Sequence, residues 1–182
     1  MRISGLIALL ATIGCASSPG LGTGSSTSTT QITGASGSVA TLSMVADVEP
    51  GIKALAASAD SAWKQVPAAY ADLAIPITIL VNEAMLAGNQ GFTARREIAG
   101  VPMRKYFMCG EASGGPNADT YMISMNIATQ IQKEADGTSK AATVLDATAT
   151  SMVSGTNAVH CGSTGALEER VNDQIAKRLN LK

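Results

Sequence analysis

The sequence predicts an α+β domain, a twisted antiparallel sheet with two helices packed on one face. Three observations lead there. Tyr121, Ile123, Met125, Ile127 and Ile131 alternate with Met122, Ser124, Asn126, Ala128, Gln130 and Gln132, a period of two that belongs to a strand with one buried face. Asp136-Gly137, a strong hairpin turn, follows, and Ala141–Val153 returns with Leu145, Ala147 and Ala149 toward the core. Near the end, Leu167, Val171, Ile175 and Leu179 recur at helical spacing.

The remaining elements follow in chain order. Val39–Ala46 and Ile52–Ala57 are candidate strands, divided by the turn-forming Asp47-Val-Glu-Pro-Gly51. Ser58 suits a helix N-cap, and Asp60 suits the first turn. Trp63, Val66, Tyr70 and Leu73 then share one helical face, and Pro67 predicts a kink or a restart. Ile75, Ile77, Ile79 and Val81 predict a strand over Ile75–Val81, and Phe92–Ile98 and Arg104–Cys109 predict shorter ones. Gly110–Asp119 predicts a flexible polar loop. Its Glu111 and Asp119 could touch a cation, although the spacing is not that of a calcium loop, and a plain connection is favoured. Ser163 or Thr164 begins the last helix, Lys177 and Arg178 suit its C-terminal end, and Glu168-Glu169 read as a solvated first turn.

Composition bounds the function. A hydrophobic fraction of 46% supports a core, and aromatics at 3% require it to be built from Ala, Val, Ile, Leu and Met. A net charge of −1 gives no footprint for nucleic acid. No CxxC, HExxH, GxSxG, GxGxxG or P-loop occurs, so the expectation is a protein without metal or cofactor and without a catalytic set. A hydrolase would have to recruit His160, the lone histidine.

The chain divides into three stretches. Residues 1–14 combine Arg2 with the 11 apolar-rich residues from Ile3 to Ile13, the length of a secretory core and too short to span a bilayer. Residues 15–38 are dominated by Ser, Gly, Thr and Ala, a composition expected to form a flexible tether of roughly 25 Å. Residues 39–182 form the single domain.

Thr12-Ile13-Gly14-Cys15 resembles the lipobox of bacterial envelope lipoproteins. The resemblance implies cleavage before Cys15, a diacylglyceryl thioether on its sulfur, and acylation of the new amino group, for instance by palmitate. It also implies a membrane-anchored, periplasm-facing protein, and Ala16 after the cysteine favours the outer membrane over the inner. The competing reading is ordinary cleavage after Ala16, giving a soluble periplasmic or secreted protein.

With Cys15 set aside, Cys109 and Cys161 remain for an oxidising compartment. A disulfide between them is favoured over two buried free thiols, and it would close a 53-residue loop worth roughly 4 kcal/mol. Asp60-Ser-Ala-Trp63 with Tyr70 and Leu73, set in this order of elements, is similar to the helix-grip domain of the C-component lipoprotein of the outer-membrane β-barrel assembly machine. The expected function is a non-catalytic binding or assembly module for an envelope protein partner. A carrier or sensor of a small apolar ligand in a helix–sheet cleft is the alternative. Trp63, Tyr70, Tyr121 and Met125 are the candidate contacts, with ordinary core packing as their competing reading.

Overall fold

The computed structural model describes residues 27–33 and 39–45 as backbone, and residues 49–153 and 158–180 in full. The strands are β1 (Thr27–Thr33), β2 (Val39–Val45), β3 (Gly51–Leu55), β4 (Ile79–Val81), β5 (Leu86–Ala94), β6 (Glu97–Ile98), β7 (Val101–Pro102), β8 (Phe107–Met108), β9 (Glu111–Ala112), β10 (Gly115–Pro116), β11 (Met122–Lys133), β12 (Ser139–Thr150) and β13 (Ala158–Ser163). The helices are α1 (Ala59–Trp63), α2 (Val66–Asp72), α3 (Asn117–Thr120) and α4 (Ala166–Leu179), with a 3-10 turn at Met103–Lys105.

The β11–β12 hairpin is the spine. Its twelve-residue strands pair from Met122↔Thr150 to Lys133↔Ser139. The turn between them is fixed at Asp136, whose Oδ1 accepts from the Thr138 amide at 2.9 Å and hydroxyl at 2.6 Å, and at Gly137, whose φ of 85° suits glycine. Beyond β11 lie β5 and then β4. The other edge of β12 is shared, with β3 along Ser139–Thr143 and β13 along Ala147–Thr150, and β8 pairs outside β13. All pairings in this seven-stranded sheet are antiparallel. One face is covered by helices: Ile123, Ile127 and Ala141 of the sheet, Val66 and Tyr70 of α2, and Leu167, Val171 and Ile175 of α4 are all fully buried in a single cluster. The α+β reading, a twisted antiparallel sheet with helices on it, is therefore correct.

Several elements differ from expectation for local reasons. The helix over Trp63–Leu73 is two pieces. Ser58 caps α1 by accepting from the Ser61 amide, and the chain restarts as α2 with Pro67 in its first turn, where its missing N–H costs little. Only Ile79–Val81 of the expected strand over Ile75–Val81 pairs with the sheet. Pro76 has no donor for a ladder, and Ile75 is buried in the helix-side cluster while Ile79 and Val81 join a second cluster. β5 begins at Leu86, six residues before the expected Phe92, and a bulge at Gly91 (φ 79°) shifts its pattern. Within the expected Arg104–Cys109 strand, the 3-10 turn comes first and only Phe107–Met108 is extended.

The supposed polar loop over Gly110–Asp119 is ordered by β9, β10 and α3. Buried Asn117 donates to the Cys109 carbonyl at 3.0 Å, and Asp119 ion-pairs with Arg104 at 2.6 Å. Thr27–Thr33, inside the stretch expected to be coil, pairs with β2 along its whole length. Threonine and isoleucine are β-branched and stiffen extended backbone, so counting Thr with Ser and Gly concealed a strand. Residues 1–14, expected to be a leader, and Cys15 lie outside the described residues.

Candidate functional site

The two folded-domain cysteines are joined. Continuing the β8–β13 register of Gly162↔Met108 and Ser163↔Phe107 by one step places Cys109 opposite Cys161, and the two form a disulfide with Cα atoms 4.3 Å apart. Both residues are buried, and the bridge fixes the strand that leads into α4.

The candidate contact residues do not share a surface. Tyr70 and Met125 are at most 1% exposed and belong to the core. Trp63 and Tyr121 are half-buried and pack against the same cluster. Solvent reaches only these last two without opening the fold. The space expected to be a helix–sheet cleft is filled by Tyr70, Ile123, Ile127, Leu167, Val171 and Ile175.

Through that filled layer runs a chain of polar side chains that the sequence analysis missed. Thr143 donates to Asn172 Oδ1 at 2.7 Å, and Asn172 Nδ2 donates to the Gly51 carbonyl at 2.9 Å. Thr143 lies 2.7 Å from Thr129, and Thr129 lies 2.9 Å from the Tyr70 hydroxyl. Each hydroxyl has one proton. With Thr143 committed to Asn172, Thr129 must donate to Thr143, and Tyr70 must donate to Thr129. The four side chains are at most 1% exposed, and the relay connects α2, β11, β12, α4 and β3 through direct hydrogen bonds. Burial pushes the Tyr70 hydroxyl above the usual phenol range, partly opposed by its bond to Thr129, so at physiological pH it stays a donor.

On the far face of the sheet, rows can be read from the register. Gln90, Asn126 and Asp146 form one row; Thr93, Ser124, Thr148 and His160 form the next. His160 Nδ1 approaches Asp146 Oδ1 at 3.6 Å, and the imidazole is half exposed while the carboxylate is mostly covered. Burial raises the Asp146 carboxyl above the ordinary value, and the neighbouring His160 opposes that rise. Ser124 is two strands from His160, roughly 9–10 Å, and so out of hydrogen-bond reach for nucleophilic activation. Cys161 is buried and His160 exposed, as expected for neighbours on extended backbone.

No family model matches the chain, and no curated protein or solved structure matches it. Function must therefore be read from the surface. Among the described residues no group of three or more His, Cys, Asp or Glu is placed to hold a metal ion, and no helix is long and apolar enough to cross a membrane. The exposed apolar side chains include Met152 and Val153, which follow β12, Met108 on β8, and Ile52 on β3, with Val153 98% exposed. An apolar depression of about 400 Å³ lies between Pro67, Ala71 and Ala74 on one side and Ile75, Pro76 and Ile77 on the other. Glu168, expected in a solvated first turn, is 2% exposed: Ser163 donates to its Oε1 at 2.6 Å, and its Cβ packs where Gly51 has no side chain.

Proposed function

We propose that this is a lipid-anchored envelope protein whose domain binds a protein partner and performs no chemistry. The carrying observation is the buried Cys109–Cys161 disulfide, in a chain whose residues 1–14 have the composition of an export signal ahead of Cys15. Such bonds persist in oxidising compartments, which agrees with export and leaves Cys15 as the odd thiol for lipid. Several acyl chains on one residue would hold the protein at a membrane, at about 0.8 kcal/mol for each buried CH₂. Ala16 favours the outer membrane. Exposed Met152 and Val153 beyond β12 supply apolar contact area for a partner.

Intact-mass analysis of the cellular protein tests the anchor. The expected product begins at Cys15 and carries the added mass of a diacylglyceryl group and an acyl chain; an uncleaved Met1 or an unmodified Cys15 refutes it. Proximity labelling from the domain in live cells tests the partner. A reproducible partner lost in Val153→Asp supports the reading, and recovery of only abundant envelope proteins counts against it.

The depression beside α2 favours a second reading, a sensor of a small apolar ligand. Native mass spectrometry of freshly purified protein should then show bound mass that Ala71→Trp abolishes. A protein empty as isolated and after exposure to a lipid panel refutes it.

A further inference from the structure

We infer that the hairpin formed by β1 and β2 is a releasable strap, docked across the sheet face that the helices leave open. The first observation is a second apolar cluster. Ile79, Gly88, Ala128 and Val144 form one row by register, and Val81, Leu86, Gln130, Ala142 and Ile52 form the next. These rows face away from the helices, because their neighbours Ile127, Thr129, Thr143 and Leu145 point into the helix-side core. Yet Ile79, Val81, Leu86 and Ala128 are only 8%, 2%, 7% and 1% exposed, and Ala84 and Val144 pack against them. Side chains on the open face of an antiparallel sheet remain wet unless something covers them.

The second observation identifies the cover. β2 lies against β4, β11 and β12, three of the strands that carry this cluster. It does so without joining the ladder, because β1 and β2 form a separate two-stranded sheet. The hairpin pattern suits the task. By register, Ile32, Ala40, Leu42 and Met44 share one face with Ser28 and Thr30, whereas Thr27, Thr29, Gln31, Thr33, Thr41 and Ser43 fall on the other with Val39 and Val45. A hairpin with one apolar-rich face therefore lies against an apolar surface without sharing a strand ladder with it, so burial of apolar area drives its docking. The row also continues to Ile52, 62% exposed, at the rim of the covered area. Release would uncover a band of apolar side chains from β4 to β3.

The test uses the full-length protein and hydroxyl-radical footprinting read by mass spectrometry. Leu42→Lys with Met44→Lys should raise labelling of Val81 and Leu86 several-fold and leave Leu145 and Ile123, on the helix face, at wild-type levels. Val144→Lys, placed on the sheet instead of the hairpin, should raise labelling of Leu42 and Met44. Unchanged labelling at Val81 and Leu86 in a folded double variant overturns the proposal. A wild-type protein that light scattering finds dimeric, with mixed-isotope cross-links showing one copy's hairpin on the other's sheet, overturns the assignment to the chain's own hairpin.

Discussion

The buried relay makes an unequal pair of substitutions from two residues of the same type. Thr129→Val removes the middle hydroxyl. Tyr70 can then donate to the Ala87 carbonyl, 3.4 Å from its hydroxyl in the native protein, and Thr143 still donates to Asn172, so no buried donor is stranded. The cost should be that of an ordinary net hydrogen bond, about 0.5–1.5 kcal/mol. Thr143→Val strands Asn172 Oδ1, which is 1% exposed and has no other donor described. Desolvation of an unsatisfied acceptor adds about 1–3 kcal/mol. The double variant strands the same oxygen and nothing more, so its cost should approach that of Thr143→Val alone instead of the sum. Urea denaturation of the oxidised protein at neutral pH measures all three, with free energies taken at constant m. Additive costs, or a Thr129→Val cost as large as that of Thr143→Val, would refute the proton order deduced for the chain.

Asp146→Asn should stabilise the protein at neutral pH. The folded carboxyl is raised above its ordinary value of 3.8, so the charged form is disfavoured in the fold; the cost is absent below 3.8 and grows as pH rises through the raised value. Urea midpoints at pH 7 and pH 3 should show a gain at the first that vanishes at the second. Cys109→Ala with Cys161→Ala should lose roughly 4 kcal/mol, the chain-entropy estimate for a 53-residue loop, measured by thermal melting against the oxidised protein. Gly88→Ala should cost about 1–3 kcal/mol, because a Cβ would sit 2.3 Å from the Ile127 carbonyl oxygen and force β5 away from β11. Gly114→Ala, where a Cβ meets nothing within 4 Å, should change the melting temperature little.

Long elements with one driving force were legible in the sequence. β11, β12 and α4 each repeat their apolar period several times, and Asp136-Gly137 marks the turn between the two strands. The disulfide was legible because its alternatives were few. What was hidden depends on contacts between distant parts of the chain. β13 has only Val159 and Cys161 to mark an inward face, and Val159 is exposed, so its pairing with β12 leaves almost no local trace. Gly91 moves Phe92 to the other face of β5, which defeats any period-two count that crosses the bulge. Tyr70 and Met125 carried the chemistry of contact residues, but the low aromatic content of the chain leaves few other large side chains to fill the core, and packing claimed them.

Part of the relay is written into the local sequence. The turn closed by Glu134 and Thr138 is centred on Asp136 and places Thr129 opposite Thr143, and both fall on the inward parity of their strands, Thr129 between Ile127 and Ile131 and Thr143 between Ala141 and Leu145. Two hydroxyls facing each other in an apolar layer must find partners, and a polar residue must then come from the helix laid over them. On α4 the residue following Val171 is Asn172, four after Glu168 and so on the same side of the helix. Glu168 and Asn172 both reach toward Gly51, one by packing its Cβ against a position without a side chain and the other through a hydrogen bond. The small residue at the start of β3 and the polar flank of α4 therefore belong together. They bring the helix close to the edge of β12 between its β3 and β13 partners, where Val144, Leu145 and Asp146 have a strand neighbour only on β11. The same hydroxyls that lower the apolar yield of the core also fix α4 in one register over the sheet, a constraint that Leu, Val and Ile on its stripe do not supply by shape alone.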